Sequence, residues 1–317
     1  LAGASVGREG TGVQIGGTIG AKVGDYLKLN EEDRKILTKA GISAGFGSIF
    51  GTPLGGAFFG LEMTSIGKIR YEAVIPCLIS SAMANLVCSL LPVRHSSYEI
   101  GSLPAFSIKL LLVVMAGALL FGLTGRLFAK AVVVVKGFYA RVIKNDLLRA
   151  FAGSLNVMLI LLIPFMSNYS GLGLALIERG FEGTASFFDP AMKFILTVLS
   201  LGAGFQGGEA TPLFAIGASL GGFLGSASGI SPALLAGLGL IGVFGSATNT
   251  LLTTIILGVE LYGTAGLPYY ILTAVIGYYA MGHNSIYSSQ RVLASKHPGL
   301  SQHRGKSIRE IHQERKR

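Results

Sequence analysis

Between Phe194 and Gln290 the sequence reads FILTVLSLGAGFQGGEATPLFAIGASLGGFLGSASGISPALLAGLGLIGVFGSATNTLLTTIILGVELYGTAGLPYYILTAVIGYYAMGHNSIYSSQ, and its only formally charged side chains are Glu209 and Glu260. A soluble fold could not present so long a stretch to water. About 20 apolar residues cross the hydrocarbon core as a helix. A backbone in lipid must satisfy its own hydrogen bonds, as helices or as a closed barrel. The run has no period-2 alternation, so it predicts helices. The rest of the 317-residue chain agrees: 50% of residues are hydrophobic, 13% are charged and mean hydropathy is +0.60. Ordinary soluble domains carry about 25% charged residues. The 46 glycines suit close helix packing in lipid. The chain reads as an all-α polytopic membrane protein with room for roughly ten helical segments, some too short to span.

Hydrophobic runs and their breakers predict helices near 11–28, 36–50, 53–66, 71–91, 105–128, 130–144 and 147–166. More follow near 190–205, 211–226, 231–246, 249–262, 267–281 and 286–295. Polar punctuation at Asn30 to Arg34, Arg94 to Ser97 and Glu182 to Asp189 marks loops. Ala129 to Lys144 sets Lys130, Lys136, Arg141 and Lys144 around a valine stripe and is expected at a membrane interface.

The formal charge of +10 is concentrated at the end of the chain. Eight basic residues (Arg291, Lys296, Arg304, Lys306, Arg309, Arg315, Lys316, Arg317) fall in the last 27 positions without an aromatic platform. The positive-inside rule places this tail in the cytoplasm, which argues against a nucleic-acid partner. Cys77 and Cys88 lie in an apolar run, so buried thiols are expected rather than a disulfide framework. Leu1 is not an initiator Met and no signal peptide is visible, so the sequence reads as part of a longer chain.

Internal repetition is the informative feature. Gly7-Arg8-Glu9-Gly10-Thr11, followed by Gly17, reads against Gly207-Gly208-Glu209-Ala210-Thr211, followed by Gly217, at an offset of 200. Gly47-Ser48-Ile49-Phe50-Gly51-Thr52 and Leu61-Glu62 read against Gly245-Ser246-Ala247-Thr248-Asn249-Thr250 and Val259-Glu260, at an offset of 198. The halves divide as 1–97, a partial first repeat, and 98–285, a second repeat. Residues 286–317 are read as a final helix and basic cytoplasmic tail. Paired repeats commonly bind substrate near the midplane, where broken helices point their ends at the ion. Each half here has a Gly-rich break that contains a Glu and precedes a helix.

A helix start presents unpaired N–H groups and the positive end of the dipole, so it attracts anions. A carboxylate at that place competes with a permeant anion for the same donors, and protonation or displacement opens the path. Glu9 and Glu209 are the candidates for this gating and proton transfer. The plainer alternatives are that Glu9 caps its helix or pairs with Arg8, and that Glu209 accepts bonds at its own helix start. Intramembrane ionisable residues are costly and usually functional.

Gly7-Arg8-Glu9-Gly10 with Val13-Gln14-Ile15-Gly16-Gly17, then Gly51-Thr52-Pro53-Leu54-Gly55 leading to Leu61-Glu62, resemble the CLC family of anion channels and proton-coupled antiporters. Gly208-Glu209-Ala210-Thr211-Pro212 is similar to its Gly-x-Phe-x-Pro segment, and Tyr287 to its central-site tyrosine. The resemblance implies an inverted repeat of broken, tilted helices, a homodimer with one pore per subunit, and Glu9 as the gating glutamate. The implied anion-binding positions are Gly7, Arg8, Gly10, Thr11, Gly208, Ala210, Thr211, Pro212 and Tyr287, with no cofactor. Thr11 stands where chloride-type members usually have proline, and Glu209-Ala210 replaces an apolar residue and Phe. This combination resembles the bacterial fluoride/proton antiporter branch. The implied activity is fluoride export in exchange for protons across the cell inner membrane, the alternative being a chloride-selective antiporter or a passive chloride channel. Met63 holds the place of the inner glutamate of many chloride antiporters, so Glu209 is the proposed second acidic group. The family's first ion-binding loop is not in this sequence.

Glu62 and Glu260 occupy equivalent repeat positions at helix ends and are read as hydrogen-bonded structural carboxylates. His283 is read as a loop or cap histidine, and Tyr269, Tyr270, Tyr278 and Tyr279 as packing or interfacial residues. An intramembrane serine protease would need a Ser-His pair, for which Gly-Ala-Ser-Leu-Gly at 217–221 and His283 are weak candidates. In a noncatalytic scaffold, two Glu-bearing breaks would have no purpose.

Overall fold

The computed structural model describes residues 3–92 and 95–314, so Arg94, Arg315, Lys316 and Arg317 of the expected loop and tail lie outside the described residues. The helices are α1 (Glu9–Tyr26), α2 (Glu31–Phe50), α3 (Pro53–Glu62), α4 (Val74–Ser89), α5 (Ile108–Val142), α6 (Asp146–Leu161) and α7 (Leu174–Glu182). They continue as α8 (Phe188–Ala203), α9 (Ala210–Ser228), α10 (Pro232–Thr248), α11 (Leu251–Tyr262), α12 (Leu267–Met281) and α13 (Ile308–Glu314). Two short strands, β1 (Ser65–Ile66) and β2 (Arg291–Val292), pair in parallel.

Local chemistry sets the helix limits. At α2, the Asn30 side chain accepts from Glu32 N and Asp33 N at 3.0 and 2.9 Å, and three acidic residues occupy the first turn. Both features favour a helix start. Gly51, at φ 68°, ends it in the left-handed conformation that lacks a Cβ penalty. Ser231 caps α10, with Pro232 preset at its first position. In the tail, Ser307 and Glu310 form a reciprocal capping box. The Ser307 amide and hydroxyl hold the Glu310 carboxyl below its ordinary range.

The same order of packing recurs in the two halves of the chain. α1 packs on α2, which packs on α3 and α4; likewise α9 packs on α10, which packs on α11 and α12, and α3 meets α11. Close backbone approach at glycines makes both crossings possible. A Cβ on Gly16 would strike the Gly41 carbonyl and one on Gly41 the Gly16 carbonyl, and Gly217 and Gly239 stand in the same reciprocal relation. Residues 234–248 of α10 are buried throughout, which makes it the central helix. Outward faces are apolar: Ile75, Ile79, Met83, Leu86 and Leu90 expose one side of α4. Among the described residues three helical segments, Tyr71–Ser89, Ile108–Val142 and Ala210–Ser228, are long and apolar enough to cross a membrane.

The expected helices at 105–128 and 130–144 are one 35-residue helix, α5. Phe128-Ala129-Lys130 contains no breaker, so the change in composition does not interrupt the backbone. At about 1.5 Å per residue α5 is roughly 50 Å long and extends past a hydrocarbon core of about 30 Å. The expected helix at 286–295 is not formed, because its backbone and Gln290 bond to other elements. Ile286 N donates to Ala247 O at 3.0 Å, and Gln290 Nε2 donates to Thr248 O and Glu62 O at 3.0 and 3.3 Å. α7 was not anticipated because Glu178, Arg179 and Glu182 interrupt its apolar pattern. Cys77 is buried and Cys88 half-buried, both free. They sit on the same helix, about 16 Å apart along its axis at 1.5 Å per residue, too far to bridge.

Gly16→Val and Gly217→Val are each expected to destabilise the protein by about 1–3 kcal/mol through overpacking. A thermal melt in detergent followed by size-exclusion chromatography tests this; an unchanged midpoint in either variant would refute the close crossing in that half.

Candidate functional site

The two glycine-rich breaks meet. Gly7 N donates to Gly208 O at 2.6 Å and Gly208 N to Gly7 O at 2.7 Å, an isolated antiparallel bridge that ties the start of α1 to the start of α9. The fit demands glycine: a Cβ on Gly208 would lie 2.6 Å from Gly10 N, and one on Gly10 2.9 Å from Gly208 Cα. Arg8 and Glu209 hold the N-cap positions, and neither makes a side-chain capping bond. Two helix starts without side-chain caps therefore meet at one place, each with the N–H groups and dipole that favour an anion.

Glu9 sits over this bridge. It is 8% exposed, and its buried Oε2 has no hydrogen-bond partner among the described residues. A Cβ on Gly7 would collide with that oxygen, and one on Gly208 would lie 3.1 Å from it. Among the described residues no ion pair joins Glu9 to Arg8, so neither of the plainer readings holds it. A buried carboxylate without partners is costly.

Two cavities adjoin the bridge. One, about 650 Å³, is lined by Arg8, Glu9, Thr11 and Thr211 together with Tyr98 and Phe214. The other, about 430 Å³, is lined by Glu9, Gly10, Gly208, Glu209, Ala210 and Tyr287. Glu9 and Phe50 belong to both walls. Of the remaining sequence candidates, Gly7 forms the bridge and Pro212 is buried in the first turn of α9 without lining either cavity. Thr211 and Tyr287 face different cavities.

Tyr287 is carried by the irregular segment after α12. Its amide donates to Ser285 Oγ at 3.1 Å, and its ring stands edge-on to Phe59 at 6.2 Å. Asn249 Nδ2 anchors this segment by donating to Asn284 O. Lys136 and Met63 also line the second cavity with Glu209. The valine stripe of the sequence points Lys136 to the membrane interface, and the uninterrupted course of α5 carries it here instead.

Glu62 and Glu260 form a reciprocal clamp. Glu62, ending α3, accepts from Leu252 N, Thr253 N and Thr253 Oγ1 at 3.0, 2.8 and 2.7 Å, which caps the start of α11. Glu260, near the end of α11, accepts from Leu54 N and Gly55 N at 2.8 and 2.6 Å, which caps the start of α3. His283 is buried in the turn after α12, with its Nδ1 3.1 Å from His303 Nδ1 and its Nε2 accepting from Lys296 N.

Residues 1–282 match the family model described as voltage gated chloride channel. A chloride/fluoride channel protein from Pseudomonas syringae pv. tomato is 42% identical over 304 residues, covering 94% of this chain and 67% of the relative. An H(+)/Cl(-) exchange transporter ClcA from Vibrio parahaemolyticus is 28% identical over 303 residues, covering 89% of this chain and 65% of the relative. The crystal structure of a CLC-type fluoride/proton antiporter superposes with a TM-score of 0.87 at 36% identity, covering 91% of this chain and 73% of that one. A slow cyanobacterial Cl-/H+ antiporter, at TM-score 0.73 and 22% identity over 99% of this chain and 72% of that one, shares the fold. The chain spans 67% and 65% of the length of these two curated relatives.

The two kinds of carboxylate should respond oppositely to neutralisation. Glu62→Gln is expected to cost about 1–3 kcal/mol, since the amide cannot replace all three accepted bonds. Glu9→Gln should leave stability unchanged or raise it, because it removes an unpartnered buried charge. Thermal midpoints in detergent test both, and a Glu9→Gln loss as large as that of Glu62→Gln would mean that Glu9 is structural.

Proposed function

Since the chain belongs to the voltage gated chloride channel, or CLC, family, we propose that it provides the gate and proton path of a transporter that exports fluoride in exchange for protons. The observation that carries this reading is the unpartnered Glu9 carboxylate on the wall shared by two cavities, above two helix starts without side-chain caps. An ionised Glu9 competes with an anion for those helix starts. A protonated Glu9 loses that attraction, leaves the place to the anion and carries one proton as it moves. Blocking and proton carriage are then two states of one side chain.

Glu209 is the acidic partner. It lines the second cavity with Tyr287 and Lys136, and Met63, on the same wall, cannot take a proton. Arg8, Gly10, Thr11, Gly208, Ala210, Thr211 and Tyr287 line the anion path, with Thr11 and Thr211 facing one cavity and Ala210 and Tyr287 the other, while Gly7 and Pro212 shape the two helix starts from outside the cavities. Fluoride is favoured over chloride by Thr11 at the first break and by Glu209-Ala210 at the second. The 42% identical chloride/fluoride channel protein and the 36% identical fluoride/proton antiporter support the same choice. Chloride-selective antiport or passive chloride conduction is the alternative.

The same reading places the protein in the cell inner membrane as a homodimer with its basic tail in the cytoplasm. Its dimer face is built from the Gly-rich segments at 53–60 and 249–270, where Leu54 and Leu267 are exposed. The repeat boundaries 1–97 and 98–285, with residues 286–317 following, belong to this proposal.

Ion efflux from proteoliposomes, read with fluoride and chloride electrodes under an imposed proton gradient, is the test. Fluoride is expected to move uphill with protons, and Glu9→Gln to abolish proton movement. Equal transport of chloride and fluoride would sink the fluoride assignment, and uphill fluoride transport by Glu9→Gln would sink the gate.

A further inference from the structure

A third cavity, about 560 Å³, lies away from the two beside Glu9, between α2, the segment after α3 and the tail strand β2. Four cationic residues line it: Lys35 and Lys39 from α2, Arg70 from the loop before α4, and Arg291 from β2. Thr38 and Thr64 add hydroxyl groups, and among the described residues no carboxylate belongs to the lining. Glu32 pairs with Lys35 at 3.1 Å and with Arg70 at the outer rim, and Glu31 reaches Lys35 at 3.4 Å. Lys39 and Arg291 have no ion-pair partner among the described residues.

Lys39 is the unusual member. It is only 6% exposed, and among the described residues the one hydrogen bond of its ammonium goes to Leu61 O at 3.4 Å. An ammonium has three donors, and burying one so poorly satisfied is costly unless an anion completes it. The two arginines offer planar forks that match phosphate oxygens, and the lysines add point charges. A cavity of this size falls in the range of small-molecule sites, about 300–1,000 Å³, far larger than a halide needs.

We propose that this cavity binds a phosphate-bearing anion, held by Lys39, Arg291, Arg70 and Lys35, at a site separate from the transport path. A ligand there joins the tail to the bundle, because Arg291 lies on β2, whose partner β1 follows α3. Tyr287 is four residues before Arg291, so an occupied cavity restrains the segment that carries it.

The test titrates purified protein with inorganic pyrophosphate by calorimetry. In parallel, native mass spectrometry measures retention of phosphatidylglycerol against phosphatidylcholine. Saturable pyrophosphate binding that weakens about tenfold in Lys39→Met, as loss of one charged hydrogen bond predicts, assigns a soluble phosphorylated ligand. Selective phosphatidylglycerol retention that depends on Lys39, without pyrophosphate binding, assigns a lipid headgroup. Arg291→Gln, an exposed substitution, should weaken whichever ligand binds by a similar factor and guards against misfolding of the Lys39 variant. Absence of both forms of binding, or binding indifferent to Arg291→Gln, overturns the proposal.

Discussion

Two backbone hydrogen bonds, exchanged between Gly7 and Gly208, hold the centre of this molecule together. They join chain segments two hundred residues apart and set the starts of α1 and α9 against each other. Glycine at these breaks allows the backbones to touch, and the contact leaves no room for side chains between the helix ends. Everything asked of the site, from attraction of an anion to the placement of Glu9, follows from this meeting of two positive helix ends. The glycine pairs at 16 and 41 and at 217 and 239 serve it, since each lets a second helix press close behind the first.

The four repeat-related carboxylates divide by what they accept. Glu62 accepts from two amides and a hydroxyl and Glu260 from two amides, and each is fixed by the helix start that it caps. Glu9 has a buried oxygen with nothing to accept from, and Glu209 leaves its own helix start without a side-chain bond. Side chains with complete hydrogen bonding resist movement, whereas an unsatisfied one has little to lose by moving. The unsatisfied carboxylate oxygen thus lies at the bridge, and the carboxylates that cap the other helix starts lie away from it.

Much of this was legible in the sequence because repetition marks it. The offset between Glu9 and Glu209 located both breaks, and that between Glu62 and Glu260 located the structural carboxylates. It could not reveal that those two cap each other's repeats, since reciprocity depends on how α3 and α11 face. Residues 286–295 show the other limit: local pattern suggests helix, but donors on Ile286 and Gln290 are taken by α3 and α10, so tertiary bonding overrides propensity. Lys136 was visible as a charge in a valine stripe, yet its place beside Glu209 depends on α5 running unbroken through Ala129. The cavity around Lys39 had no sequence signature, because its cations come from three separate elements.

The carboxylate clamp bears on how the protein is made. The amides of Leu54 and Gly55 find their acceptor on Glu260, and the Glu62 carboxylate finds its donors at Leu252 and Thr253, 190 residues or more along the chain. At about 5–20 residues per second of synthesis, roughly 10–40 seconds separate the emergence of one partner from the other. During that interval α3 sits in or beside the bilayer with an open start and an uncommitted acid at its end. A chain that stops short of α11 therefore carries an α3 whose first amides and terminal acid lack the partners that they have in the complete bundle.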